Sequence, residues 1–131
     1  MKYMGSKASI SNELLPIVLK NRKENQFYIE PFVGGANMID KVEGKRIGSD
    51  FNKYLIALWK ELQNGWIPTY IEKDKYNDIR ANKDNYEDYI VGWTGICCSY
   101  CGKWFSGFAG ETKTRNGVRN YQTEALFNVL K

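Results

Sequence analysis

Tyr28-Ile29-Glu30-Pro31-Phe32-Val33-Gly34-Gly35-Ala36-Asn37-Met38-Ile39-Asp40-Lys41-Val42-Glu43-Gly44-Lys45-Arg46-Ile47-Gly48-Ser49-Asp50 is the stretch on which the fold turns. Phe27 to Ile29 is a short apolar run of β-favouring residues, and Pro31 ends its ladder because proline brings no N–H. Gly34-Gly35 then supplies a turn with no Cβ in the way. The spacing of Met38, Ile39 and Val42 predicts a helix starting near Ala36, with Gly44 placed to end it. Arg46 to Ser49 reads as a second strand that delivers Asp50 at its C-terminal end.

Asp50 follows Glu30 by 20 residues. An acid roughly 20 residues beyond a glycine loop is what a βαβ site uses to hold the ribose hydroxyls of a nucleotide-like cofactor. A Gly-Gly pair after a strand is also an ordinary turn, and the spacing by itself leaves both readings open.

Glu30-Pro31-Phe32-Val33-Gly34-Gly35 resembles the E-P-F-x-G-x-G-type loop of the Dam-like adenine-N6 DNA methyltransferases, with Ala36 where many members carry a third small residue. Lys2-Tyr3-Met4-Gly5-Ser6-Lys7 is similar to their opening K-W-x-G-x-K segment, Tyr3 standing where tryptophan is usual. Asp50-Phe51-Asn52 resembles the D-x-N that follows the second strand. The three motifs occur in the family's order and spacing. The resemblance implies an α/β chain with few strands and many helices, a partial Rossmann-like fold dependent on S-adenosylmethionine. It also implies that Tyr3, Lys7, Glu30, Pro31, Phe32, Gly34, Gly35, Asp50 and Phe51 hold that cofactor, with Asp50 on its ribose.

The family's catalytic signature is D-P-P-Y or a close variant, which holds the amino group of the flipped adenine. The prolines here are Pro16, Pro31 and Pro68, no two adjacent, so no residue of the chain is expected to be catalytic. The expectation is a single truncated methyltransferase-like domain over residues 1–131, with a cofactor-binding part at 1–65 and a helical, DNA-contacting part at 66–131. In the family's strand order the first strand lies centrally, so its missing neighbour would leave an open edge. A homo-oligomer or a protein partner is expected to cover that edge, near Phe27 to Phe32 and Tyr121 to Lys131.

A chain of 131 residues with 43% hydrophobic content can bury one domain core. No apolar run approaches the ~20 residues of a membrane span, and the N-terminus lacks the apolar centre of a signal peptide. A cytoplasmic protein of a bacterium or a phage-infected cell is expected, with no membrane partner. The net charge of +4 is compatible with nucleic acid without requiring it, although residues 1–25 and 103–131 each carry a net +3. Cys97, Cys98 and Cys101 are odd in number and bunched, unlike a secreted disulfide framework. Zinc would need a fourth ligand in a chain without histidine, so no metal is expected and small buried side chains are the simpler reading.

Ile10, Leu14, Ile17 and Val18 predict a helix over Ala8 to Lys20 that packs on the sheet and is broken or kinked at Pro16. Asn52 as cap, Leu55, Leu58, Trp59 and Leu62 as stripe and Gly65 as stop predict the clearest helix. Pro68 is placed to open another helix. Glu72 to Asp88 reads as one or two solvent-facing helices, and in the apolar stretch from Tyr89 to Tyr100 the residues Tyr89, Ile90, Trp93, Ile96 and Cys97 suit a buried one. Gly102 to Gly110 reads as a glycine- and aromatic-rich loop, followed by basic residues up to Arg119. Lys103, Trp104, Lys113, Arg115 and Arg119 suit a nucleic-acid channel, in which rings stack on bases and cations meet phosphates. A packed loop with no ligand accounts for the same residues.

Two functions follow. The chain is either the cofactor-binding half of a site-specific DNA adenine-N6 methyltransferase, inactive alone, or a non-catalytic phage-type protein that inhibits a nucleic-acid-binding or host-defence protein.

Overall fold

The computed structural model describes residues 1–131, which divide into two compact units, Met1 with Gly5–Phe51 and Lys2–Met4 with Asn52–Lys131. The result is a helix-rich α/β chain with few strands.

In the first unit, helix α1 (Ser11–Leu19) precedes strand β1 (Tyr28–Glu30), and strand β2 (Arg46–Gly48) pairs parallel to β1 with Ile29 opposite Ile47. Tyr28, Leu15, Met38 and Val42 form the core, with Leu14, Leu19 and Ile39 packed against it. The ladder continues past both strand ends, Tyr28 N–H donating to Lys45 at 2.9 Å and Val33 N–H to Ser49 at 2.8 Å. Arg22 gathers the carbonyls of Gln26, Glu43 and Lys45, fixing the chain where it enters both strands.

Three expectations fail here. Helix α1 runs through Pro16 without a break: Asn12, whose carbonyl loses its usual donor, is exposed, and water can replace the missing N–H. The same helix turns Ser11 and Leu15 inward and leaves Ile10, Ile17 and Val18 exposed, so of the predicted stripe only Leu14 packs on the core. Ser11 sits inside because its hydroxyl donates to the Ala8 carbonyl at 2.9 Å and accepts from Lys41 Nζ at 2.6 Å. No α-helix forms after Ala36, where only a 3-10 turn at Ile39–Lys41 appears. Ala36 itself has φ 58°, a left-handed conformation that no helix can incorporate.

In the second unit, α2 (Lys53–Gln63) starts where the sequence placed it, Asn52 Oδ1 accepting from the N–H groups of Tyr54 and Leu55 at 3.1 and 3.3 Å. Leu55 and Leu58 are fully buried and Trp59 is half-buried. The segment after Pro68 stays irregular until α3 (Lys73–Ala81), because the Ile71 backbone is hydrogen-bonded to the side chain of Gln122 and cannot enter a helix ladder. Helix α3 is charged on its outer side but buries Tyr76 and Ile79. Helix α4 (Asp88–Gly92) runs straight into a π-helical turn at Trp93–Cys97, and every residue from Val91 to Ser99 is buried. It lies against α2 so closely that a Cβ on Gly92 would collide with the Tyr54 carbonyl oxygen.

The basic segment after Gly110 is not a loop. It forms an antiparallel hairpin of β3 (Glu111–Thr114) and β4 (Gly117–Asn120), and α5 (Tyr121–Leu130) follows directly. No helix of the chain is long and apolar enough to cross a membrane.

Candidate functional site

Glycine and acid meet in the first unit. The Gly34 N–H donates to Asp50 Oδ2 at 3.0 Å, which ties the turn after β1 to the residue that follows β2. Gly34 adopts φ 47°, and Val33, Gly34 and Gly35 are all buried. Parallel pairing explains the meeting: once Glu30 lies beside Gly48, the chain leaving each strand emerges at the same end of the sheet.

The loop between them is held from inside. Glu30 is buried, and its carboxylate accepts the Ile39 N–H at 3.0 Å, spanning the turn it precedes. Burial raises the Glu30 pKa above its ordinary value, while the Ile39 N–H, Lys7 and the Tyr28 hydroxyl act in the opposite direction. Asn37 donates to the Met1 carbonyl at 3.0 Å and to Ser6 Oγ at 2.7 Å, and the Met1 amino group donates to the Gly35 carbonyl at 2.8 Å. Asn37 was not among the residues singled out from the sequence, and only its place directly after the glycine turn could have drawn attention to it.

Pro31, Phe32 and Phe51 are exposed around this loop, Phe51 to 99% and Phe32 to 74%. Two bare aromatic rings flanking a buried glycine turn and a carboxylate make a surface that a flat heterocycle can cover. Lys7 is exposed in the same unit, whereas Tyr3 belongs to the second unit, in which Met4 N–H donates to the Gly102 carbonyl at 3.2 Å. The residue types suit an adenosyl group: a backbone turn without Cβ atoms, a carboxylate for hydroxyls and apolar rings for a purine.

Of the residues assigned to nucleic acid, Lys103 is exposed and Trp104 is half-committed. Its ring stacks on Tyr54 at 5.5 Å and meets Phe105 edge-on at 4.8 Å, so one face packs within the protein. Tyr54, in turn, carries Lys53 Nζ at 4.6 Å from its ring centroid, and neither residue stood out in the sequence. Lys113 is exposed on β3, and Arg115 lies at the hairpin tip. Arg119 is engaged: its guanidinium forks onto Glu124, and it lies 4.6 Å from the Tyr121 ring centroid. The ion pair holds the Glu124 carboxyl below its usual range.

Cys97 and Cys98 are buried and Cys101 is partly exposed, all three as free thiols. Burial pushes the Cys97 thiol up to about 12 and that of Cys98 well above its ordinary value, which makes both poor nucleophiles.

A family model described as D12 class N6 adenine-specific DNA methyltransferase matches residues 3–123. No curated protein matches the chain.

Proposed function

The chain belongs to the D12 class of N6 adenine-specific DNA methyltransferases, and we propose that its first unit carries the S-adenosylmethionine site of a partial Rossmann-like fold. The observation that carries this reading is the 3.0 Å bond between the Gly34 N–H and the Asp50 carboxylate, which brings the two motif positions to one place. When bound, the cofactor supplies a methyl group on a sulfonium, destined for the exocyclic nitrogen of adenine.

In this reading Gly34 and Gly35 let backbone approach the cofactor, and Asp50 accepts from its ribose hydroxyls. An ionised carboxylate accepts at about four lone-pair positions, so a bond to Gly34 is compatible with bonds to a ribose. Phe32 and Phe51 cover the purine, and Lys7 and Pro31 complete the contact. Glu30 acts from behind, by fixing the course of residues 31–38.

The second unit meets DNA through the hairpin. A two-stranded ribbon fits the major groove, and Lys113 and Arg115 project from one that is exposed along its length. Lys103 and the open side of Trp104 add a cation and a ring, while Arg119 contributes mainly by bracing the hairpin on α5. A second protein chain, identical or different, covers the open edge of β1. Because no D-P-P-Y occurs among these 131 residues, they do not transfer methyl groups to DNA on their own.

Titration calorimetry with S-adenosylmethionine tests the cofactor site. Asp50→Ala is expected to weaken binding by about 1.5–3 kcal/mol, the worth of a hydrogen bond to a charged group. Unchanged affinity would remove Asp50 from the site. No binding by the wild type at millimolar cofactor would favour a non-catalytic binding protein instead.

A further inference from the structure

Trp104 is held by the backbone it rests on. The Gly95 carbonyl, inside the π-helical turn, accepts the Phe105 N–H at 2.8 Å. A Cβ on Gly95 would lie 2.5 Å from Cζ3 of the Trp104 ring and 2.7 Å from the Phe105 ring, so only glycine lets both rings settle on this turn. Phe105 itself has φ 43°, a left-handed conformation that a bulky residue keeps only where its surroundings impose it. Tyr54, on α2, stacks on the indole with ring centroids 5.5 Å apart and planes 21° apart.

Burial is unequal across these rings. Phe105 is buried and Tyr54 half-buried, whereas Trp104 is 36% exposed. Tyr54 covers one face of the indole and Gly95 lies at its Cε3–Cζ3 edge, so the open surface is the side that Tyr54 does not cover. Cations stand beside it. Lys103 is exposed, and Lys83 Nζ sits 5.2 Å from the Phe105 ring centroid while donating to the neutral carbonyl of Arg80. Lys53 is occupied, paired with Asp88 at 3.2 Å.

We infer that Trp104 receives a DNA base that has left the duplex stack, with the adjoining phosphates on Lys103 and Lys83. The inference rests on the reading that the second unit meets DNA. In a paired duplex every base has neighbours above and below it, so only an unpaired or extruded base can offer its face to an indole. Such stacking is indifferent to base identity, because every base has a π-face. The site thus differs in kind from a hairpin that reads base edges in the major groove, and from contacts that hold the amino group of one particular base.

The probes are a short fluorescent DNA duplex, fully paired, and versions of it that carry a single unpaired adenine, cytosine, guanine or thymine in mid-strand. By anisotropy the full chain is expected to bind every bulged duplex at least about tenfold more tightly than the paired one, the contribution of a base stacked on an aromatic ring. Trp104→Ala should bring the affinity for bulged DNA down to that for paired DNA. Trp104→Phe keeps a ring to pack on Tyr54, so its affinity for bulged DNA should fall between those of the wild type and the alanine variant, which separates lost stacking from lost folding. Equal binding of paired and bulged DNA by the wild type, or a preference for bulges that Trp104→Ala leaves intact, overturns the inference while the DNA reading of the second unit stands. A preference for unpaired adenine alone also overturns it, by assigning the ring to the recognition of one base. No binding of any duplex overturns that DNA reading and this inference together.

Discussion

Gln122 and Ile71, 51 residues apart, exchange two hydrogen bonds of 2.8 Å, one from the Ile71 N–H to Gln122 Oε1 and one from Gln122 Nε2 to the Ile71 carbonyl. The side-chain amide copies the pairing of a neighbouring strand, and both residues are buried. This is how an irregular segment crosses an apolar interior without leaving its backbone unpaired.

Gln122→Ala strands a buried donor and a buried acceptor together. Each such group costs about 1–3 kcal/mol, so a loss of about 2–6 kcal/mol in urea denaturation is expected. A loss under about 0.5 kcal/mol would mean that water takes over both bonds.

Gly92 and Gly65 form a matched test of close packing. At Gly92 an added Cβ meets the Tyr54 backbone, which cannot swing aside as a side chain could, and lies 3.1 Å from Leu58 Cβ. At Gly65, φ 89°, it meets nothing within 4 Å. Gly92→Ala should therefore cost about 2–3 kcal/mol or more through overpacking, and Gly65→Ala only about 1 kcal/mol of backbone strain. Similar losses at both sites would mean that α4 can retreat from α2.

The thiols should separate by exposure. An aromatic disulfide reagent at pH 8 is expected to react quickly with Cys101 alone in the native chain and with all three thiols after denaturation. Rapid native reaction of two or three thiols would show that the segment from Val91 to Ser99 opens readily.

How much of this was legible in the sequence depends on whether the deciding interaction was local. The Asn52 cap and the β1 and β2 strands are set by neighbours a few residues away, and they appear within a residue or two of where the pattern put them. The missing helix after Ala36 is a long-range effect: the carboxylates of Asp50 and Glu30 take the N–H groups of Gly34 and Ile39, and they hold the chain in a turn. The orientation of α1 was hidden for the same reason, because Lys41 is what makes Ser11 an inward residue. The hairpin has a local signal of its own. Arg115-Asn116 followed by Gly117 at φ 114° is a turn signal flanked by β-compatible residues, although the charges around it are equally those of a solvated loop.

Glu30 supplies the pH-dependent prediction. Burial raises its pKa above the ordinary 4.5, so the folded chain holds a proton there more tightly than the unfolded chain does. The stability gained from this is fully present below the unfolded pKa and is lost as pH rises through the folded one. At pH 7 the buried carboxylate is therefore a net burden, offset in part by the Ile39 N–H and Lys7. Glu30→Gln keeps an acceptor for Ile39 and removes the charge. The variant is expected to be at least as stable as the wild type at pH 7, and the wild type should gain on it as pH falls toward 4.5. Denaturation curves of both chains between pH 4 and 7.5 decide the matter. A variant that is less stable by the same amount at every pH would mean that the turn needs the bond geometry of the carboxylate and is indifferent to its charge.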